Sequence, residues 1–230
     1  GLKGRLFLYP YFFGRYPDYR FPIMRLLTLL ILVSLCLSCA EEAHYSKITG
    51  NTMGTTYSVI VKSGTASPQE IYEDIEVELK DINQLMSTYI PDSEINRFNQ
   101  LQDNSCFRFS SKTWEVLLAA QAIYEETDGA FDITLGPLIS RWGFNAEEYE
   151  EKVPSSEEVS KLMAEVGTDK LTYDIHNQCI HKNHPGITIN LSAIAKGYGV
   201  DQVADIVEKH GVENYLVEIG GETKTKGKNP

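Results

Sequence analysis

The chain has 230 residues, 42% of them hydrophobic and 23% charged, enough for one large domain or two small ones with a substantial core. Its formal net charge of −11 argues against the clustered Lys and Arg that phosphate-backbone binding wants, so no nucleic acid is expected as a partner. Four cysteines without a Cys-x-x-Cys spacing make a zinc ribbon or a redox dithiol an unpromising reading.

Residues 1–23, rich in aromatics and arginine, read as upstream sequence foreign to the native protein. From Met24 the character changes: Met24-Arg25, an apolar run from Leu26 to Leu37, then Ser38-Cys39-Ala40. A basic start, a short apolar segment and a small residue before the break describe a secretory signal peptide over residues 24–38. At about 12 residues the run is too short to cross a bilayer as a helix. Cys39 directly after Ser38 makes a lipobox, although Cys36 sits where Leu or Val is usual; the alternative is an ordinary signal peptide that contains a Cys. On the lipoprotein reading residues 39–47 are a lipidated Cys39 and a polar tether, and residues 48–230 form the folded domain. Cys106 and Cys179 remain in that domain. An oxidising compartment would permit them to pair, but spacing alone does not fix their geometry.

Thr56 to Val61 is β-rich and follows Met53-Gly54-Thr55, a strand entered through a tight turn. Ile71, Ile75, Leu79, Ile82 and Leu85 recur at three and four, giving an amphipathic helix from Pro68 to Met86. Residues 87–104 read as a loop, with Pro91-Asp92-Ser93 as turn chemistry. A brief strand at Phe107–Phe109 precedes a helix from Thr113 to Thr127, stopped at Asp128-Gly129. Ser155 and Glu158 are spaced as a capping box for a helix running to about Gly167. Short strands follow at 171–173, 179–181 and 186–189, then a helix from Ser192 to His210 and a strand from Tyr215 to Ile219. Helices interleaved with hairpin-connected strands, without βαβ alternation, predict an α+β fold with mixed or antiparallel sheets. The chain reads as C-terminally truncated, since Gly227-Lys228-Asn229-Pro230 closes no element.

The stretch from Asn190 to Gly199 carries the most chemistry. A strand ends at Asn190, Ser192 is placed to cap the next helix, and the first turn offers free amides and a positive dipole end to a phosphate. Lys196 adds a full charge about one turn in, and the small residues Ala193, Ala195, Gly197 and Gly199 allow close approach. A helix packed on a sheet through small residues, with Lys196 solvated, accounts for the same pattern. Asp132 stands among apolar residues, where a carboxylate must be partnered. It either caps the next turn through Thr134 or Gly136, or accepts from the ring N–H of a heterocycle. Met53 and Tyr89 suit stacking on a flat ring, and equally a core role. His176, His181 and His184 match no zinc spacing and read as surface histidines.

Several ordered blocks together resemble the ApbE family, the FAD:protein FMN transferases. They are Thr52 to Tyr57; Met86 to Tyr89 with Ser93, Glu94, Arg97, Phe98 and Asn99; Gly129 to Thr134 with Gly136-Pro137 and Trp142-Gly143-Phe144; Asn190 to Tyr198 with Val200-Asp201; and Glu218 to Glu222. The likeness covers about Thr52 to Pro230 and implies an ApbE-like, T-fold-like architecture. It implies FAD contacts at Met53, Tyr89, Ala130, Phe131, Asp132, Asn190 and Lys196, and a Mg²⁺ ligand in the backbone carbonyl of Ala193. Asn190 departs from the family, where Asp is frequent. The catalytic groups and the remaining metal ligands are expected beyond Pro230. The implied reaction is Mg²⁺-dependent transfer of FMN from FAD to a threonine hydroxyl of an acceptor protein, releasing AMP. Acceptors in the family are subunits of Nqr-type and Rnf-type redox complexes, and a lipid anchor at Cys39 would hold the enzyme on the periplasmic side of the inner membrane. A Mg²⁺-dependent FAD pyrophosphatase and a non-catalytic FAD-binding lipoprotein are the competing readings.

Overall fold

The computed structural model describes residues 44–62, 64, 66–144 and 153–228. The upstream segment, the signal peptide and Cys39 lie outside the described residues, as does most of the tether. The tether's last three residues are not a tether: Tyr45–Thr52 form strand β1, paired antiparallel with β2, Thr55–Lys62. Polar side chains along an outward-facing edge strand conceal it from a hydrophobicity reading.

Four antiparallel strands make the larger sheet, in the order β1-β2-β6-β7, with β6 at Tyr215–Ile219 and β7 at Glu222–Lys226. Gly220 and Gly221, at φ 56° and 102°, turn β6 into β7, a hairpin hidden in sequence because β7 is almost wholly polar. Period-two burial marks the inner face: Tyr57, Val59 and Val61 on β2, and Tyr215, Val217 and Ile219 on β6. Helices α1 (Pro68–Met86) and α6 (Ala195–Lys209) cover that face through Ile71, Ile75, Leu79, Val200, Val203 and Val207.

The second sheet has the order β3-β5-β4, from Phe107–Arg108, Cys179–Lys182 and Leu171–Asp174, all antiparallel. A disulfide joins Cys106 to Cys179, so the pair that spacing left open does close. Helix α3 (Ser111–Glu126), capped by the Ser110 side chain on the Thr113 amide, lays Trp114, Leu117 and Ala120 into a second core with Phe98, Phe109, Ile180 and Leu191. α1 crosses from one core to the other, contributing Ile82 and Met86 to the second. Met86 is buried and Leu85 only packs against it from outside, so the helical face turns by one residue from the expected one.

Three further expectations change. The loop 87–104 contains helix α2, Glu94–Asn99, capped by Ser93; six residues are too few for a periodic signal. The segment 186–189 forms no strand: Gly186 belongs to a turn, and at Ile189 the Asn99 side chain takes the place of a neighbouring strand. Its Nδ2 donates to the Ile189 carbonyl at 2.9 Å and its Oδ1 accepts from the Ile189 amide at 2.7 Å. The capping box of α5 (Ser156–Met163) forms as read, yet the helix stops at Met163 rather than near Gly167. α4, Gly136–Arg141, starts with Pro137 in its first turn, where the missing N–H costs nothing.

Candidate functional site

Met53 and Gly54 form the two-residue turn between β1 and β2, with φ of 50° and 72°. Such a hairpin needs left-handed backbone at both positions, which glycine tolerates and methionine rarely adopts. The strain holds the Met53 side chain against both cores, close to the backbone of Gly199: a Cβ there would stand 3.0 Å from the Met53 Cε. Asn83 of α1 ties the hairpin down, donating from Nδ2 to Thr52 Oγ1 at 2.9 Å.

Beneath this turn lies a cavity of about 580 Å³, walled by Met53, Ile82, Met86 and Ala195 and edged by Ser192 and Lys196. After α1, the loop 87–90 borders it with Tyr89, a residue that stays 57% exposed. A second cavity of about 410 Å³ shares Thr88 and Tyr89 and has an amide-rich wall: Asn96, Asn99, Gln100 and Asn190, with Gly136 and Thr188. Both volumes fall in the range of small-molecule sites. Asn96 shapes the shared wall, since its Nδ2 donates to the carbonyls of Thr88 and Ile90 at 2.9 and 2.8 Å.

One turn runs along both cavities: Ile189 and Asn190 line the second, Ser192, Ala195 and Lys196 the first. Its construction differs from the expected Ser192 cap. No side chain caps the helix, whose N-cap position is Ile194; in the turn before it Asn190 Oδ1 accepts from the Ser192 amide at 2.9 Å, while the Asn190 amide donates to the Ile133 carbonyl at 2.8 Å. The α-helix proper starts three residues later than expected, at Ala195. Two consequences matter chemically. The amides of Lys196 and Gly197, in the first turn, have no intrahelical acceptor. The Ala193 carbonyl accepts no backbone hydrogen bond from the described residues and is open to an electrophile.

Lys196, 32% exposed at its side chain, pairs with Glu222 Oε1 at 2.9 Å. The lysine's hydrogen bond keeps the Glu222 carboxyl below the usual carboxylate range. The second oxygen of Glu222 is buried with no partner among the described residues. So the cation at the cavity edge comes with a counter-charge that an anionic ligand has to share.

Sequence reasoning thus brings Met53, Tyr89, Asn190 and Lys196 to two adjoining cavities. Ala130, Phe131, Asp132 and Ala193 line neither of them, although Ala193 is exposed on the same turn. Of the two readings of Asp132, the structure realises the turn cap. Oδ1 accepts from the Thr134 amide and hydroxyl at 2.7 and 2.6 Å and from the Thr168 hydroxyl at 2.9 Å, and Oδ2 from the Thr168 amide at 3.2 Å. This loop reaches the site only through the Ile133 carbonyl that holds Asn190. His181 Nδ1 donates to the Asn104 carbonyl at 2.9 Å, and no histidine cluster of metal-binding geometry occurs among the described residues. Asn83, Asn96 and Gln100 went unread in the sequence, and Asn99 entered only within a block shared with the family; polar amides in a helix or a presumed loop give no periodic signal of their partners.

The sequence model of the ApbE family matches residues 53–230. The chain belongs to the ApbE family. It is 42% identical over 214 residues to the FAD:protein FMN transferase of Haemophilus influenzae, covering 89% of this chain and 62% of that protein. Against the Vibrio cholerae protein of the same name identity is 42% over 202 residues, covering 87% and 59%. Among solved structures, the flavin transferase ApbE from Vibrio cholerae superposes with a TM-score of 0.78 at 40% identity, over 81% of this chain and 60% of that one. The apo flavinyl transferase ApbE of Pseudomonas stutzeri gives 0.76 at 36% identity, over 83% and 63%. The chain therefore spans about three fifths of the length of these ApbE proteins.

Proposed function

We propose that this chain forms the FAD-binding part of a flavin transferase, which moves FMN from FAD onto a hydroxyl of an acceptor protein and releases AMP. The observation that carries the reading is the turn 190–196, which borders two adjoining cavities, with Asn190 on the second and Lys196 at the edge of the first, and presents open amides. A dinucleotide is a molecule of that form, two ring systems joined by a diphosphate. The apolar, sulfur-rich walls of the first cavity and the amide wall of the second each suit a heterocycle. A helix start with unpaired N–H groups suits the phosphates.

Met53 and Tyr89 would contact the rings, and Asn190 and Lys196 would hold the diphosphate from its two sides. The acceptor hydroxyl attacks the phosphorus on the FMN side, the P–O–P link breaks, AMP leaves, and the hydroxyl proton passes to a base. Positioning and charge neutralisation are the main work in such a transfer. The open Ala193 carbonyl fits a hard divalent cation, which takes oxygen donors. Mg²⁺ bound there would neutralise diphosphate charge and stabilise the leaving AMP.

The apolar run with Cys39, and the disulfide between Cys106 and Cys179, support export to an oxidising compartment and a lipid anchor on the periplasmic face of the inner membrane. Flavinylated subunits of Nqr-type and Rnf-type complexes are the acceptors proposed. The test is incubation of the intact protein with FAD and Mg²⁺, with and without an acceptor domain. Flavin-labelled acceptor and stoichiometric AMP are expected. Equal AMP release without acceptor, and no labelled band, would instead identify a pyrophosphatase, and tight FAD binding with no AMP a carrier.

A further inference from the structure

Lys182 on β5 is 2% exposed, and no feature of the site above uses it. An ammonium ion in such a place must be fully partnered, because leaving a charge buried and bare is far costlier than leaving it in water. Here all three donors are spent on backbone carbonyls: Asn99 at 3.0 Å, Leu101 at 3.1 Å and Pro185 at 3.3 Å. The ring of Phe98 covers it, 5.1 Å from Nζ to the centroid. Burial pushes the amine below the ordinary lysine range.

Two of those carbonyls close the C-terminal end of α2, where a cation is favoured by the helix dipole. The third belongs to the approach to the 187–190 segment. Lys182 therefore fastens α2 to the very stretch that α2 grips by another route, the paired hydrogen bonds between the Asn99 side chain and Ile189. The next residue is Asn190, on the wall of the second cavity and at the start of the phosphate turn.

We infer that Lys182 is a positioning residue: its buried ammonium locks the end of α2, and through the Asn99 amide it fixes the segment that presents Asn190 to the ligand. A buried apolar residue would stabilise the core at least as well as a cation without a counter-ion. What the cation adds is a simultaneous hold on three carbonyls from two segments of chain. The inference rests on the FAD-binding reading above.

The test is FAD titration, followed by flavin fluorescence, on the intact protein carrying Lys182→Met, Lys182→Arg, Asn99→Ala, or the Met and Ala changes together. Lys182→Met and Asn99→Ala should each raise the Kd about tenfold, the cost of releasing one hydrogen-bonded clamp. Together they should raise it little further, since both act on one segment. Lys182→Arg, which keeps charge and donors, should recover most of the affinity. Val203→Ala, in the other core, should lower the Tm and leave the Kd alone. Should Lys182→Met fail to fold, Lys182→Gln carries the test: it keeps an amide donor for one carbonyl, gives up the other two, and should raise the Kd toward the Met value. Folded variants with the wild-type Kd overturn the inference, as does a Kd that merely follows Tm across all variants including Val203→Ala. Wild-type protein that binds no FAD overturns the functional reading instead.

Discussion

Removing the Cys106–Cys179 bridge should destabilise the domain far more than any single surface change. The two cysteines are 73 residues apart, and the loop they close spans α3, α4, α5 and β4. The chain-entropy relation for a loop of that length gives about 15 cal/mol/K, or roughly 4.4 kcal/mol at 25 °C, as a ceiling. The local structure makes most of that ceiling reachable. β3 pairs with β5 through only Phe107↔Ile180 and Arg108↔Cys179, a ladder too short to hold itself. The cystine fixes it while Phe107 and Phe109 pack on Phe98. For a domain of this size, with about 2–4 °C per kcal/mol, the Tm should fall by roughly 9–18 °C. Thermal unfolding of Cys106→Ala/Cys179→Ala against oxidised wild type measures it, and wild type in reductant should match the double variant. A fall below about 3 °C would refute the reasoning. It would mean that the aromatic cluster alone holds the second sheet.

Lys196→Ala should weaken FAD binding by about 1–3 kcal/mol and change stability little, because the pair with Glu222 is partly exposed; isothermal titration and thermal melts separate the two effects. Met53→Gly should relieve the left-handed strain at φ 50° but give up the packing of the side chain on both cores, so the Tm should fall, and FAD affinity should drop as the first cavity loses a wall. Glu158 of the α5 capping box has its carboxyl pulled down to about 2, first by the Ser155 backbone amide, from an unfolded value of 4.5. A depressed carboxyl stabilises above the unfolded value and loses that contribution as pH falls through the folded one. So stability should decline from about pH 4.5 toward pH 2, and Glu158→Gln should flatten that slope in acid-unfolding curves.

The elements that announced themselves were those whose burial is periodic. Ile71, Ile75 and Leu79 at helical spacing gave α1, Tyr57, Val59 and Val61 in alternation gave β2, and Ser155 with Glu158 gave the start of α5. Elements made of polar residues were invisible, as with β7 and its alternating Lys and Thr. The site divides the same way. Lys196, Asn190 and Met53 sit in local patterns with a physical meaning, a strand-to-helix turn and a tight hairpin. Asn83, Asn96, Asn99 and Lys182 act across 31, 8, 90 and 83 positions of chain, and apart from Asn96 nothing in the sequence near them names the partner. Asp132 shows the limit from the other side: its apolar neighbours correctly demanded a partner, but only the fold could supply Thr168.

A crystal structure of the intact protein with FAD and Mg²⁺ tests the central claim most directly. The account predicts the diphosphate on the amides of the first turn of α6, with Lys196 Nζ on a phosphate oxygen and a ring system in each cavity. Flavin bound elsewhere, with the 190–196 turn still closed on its own Glu222 pair, would contradict it.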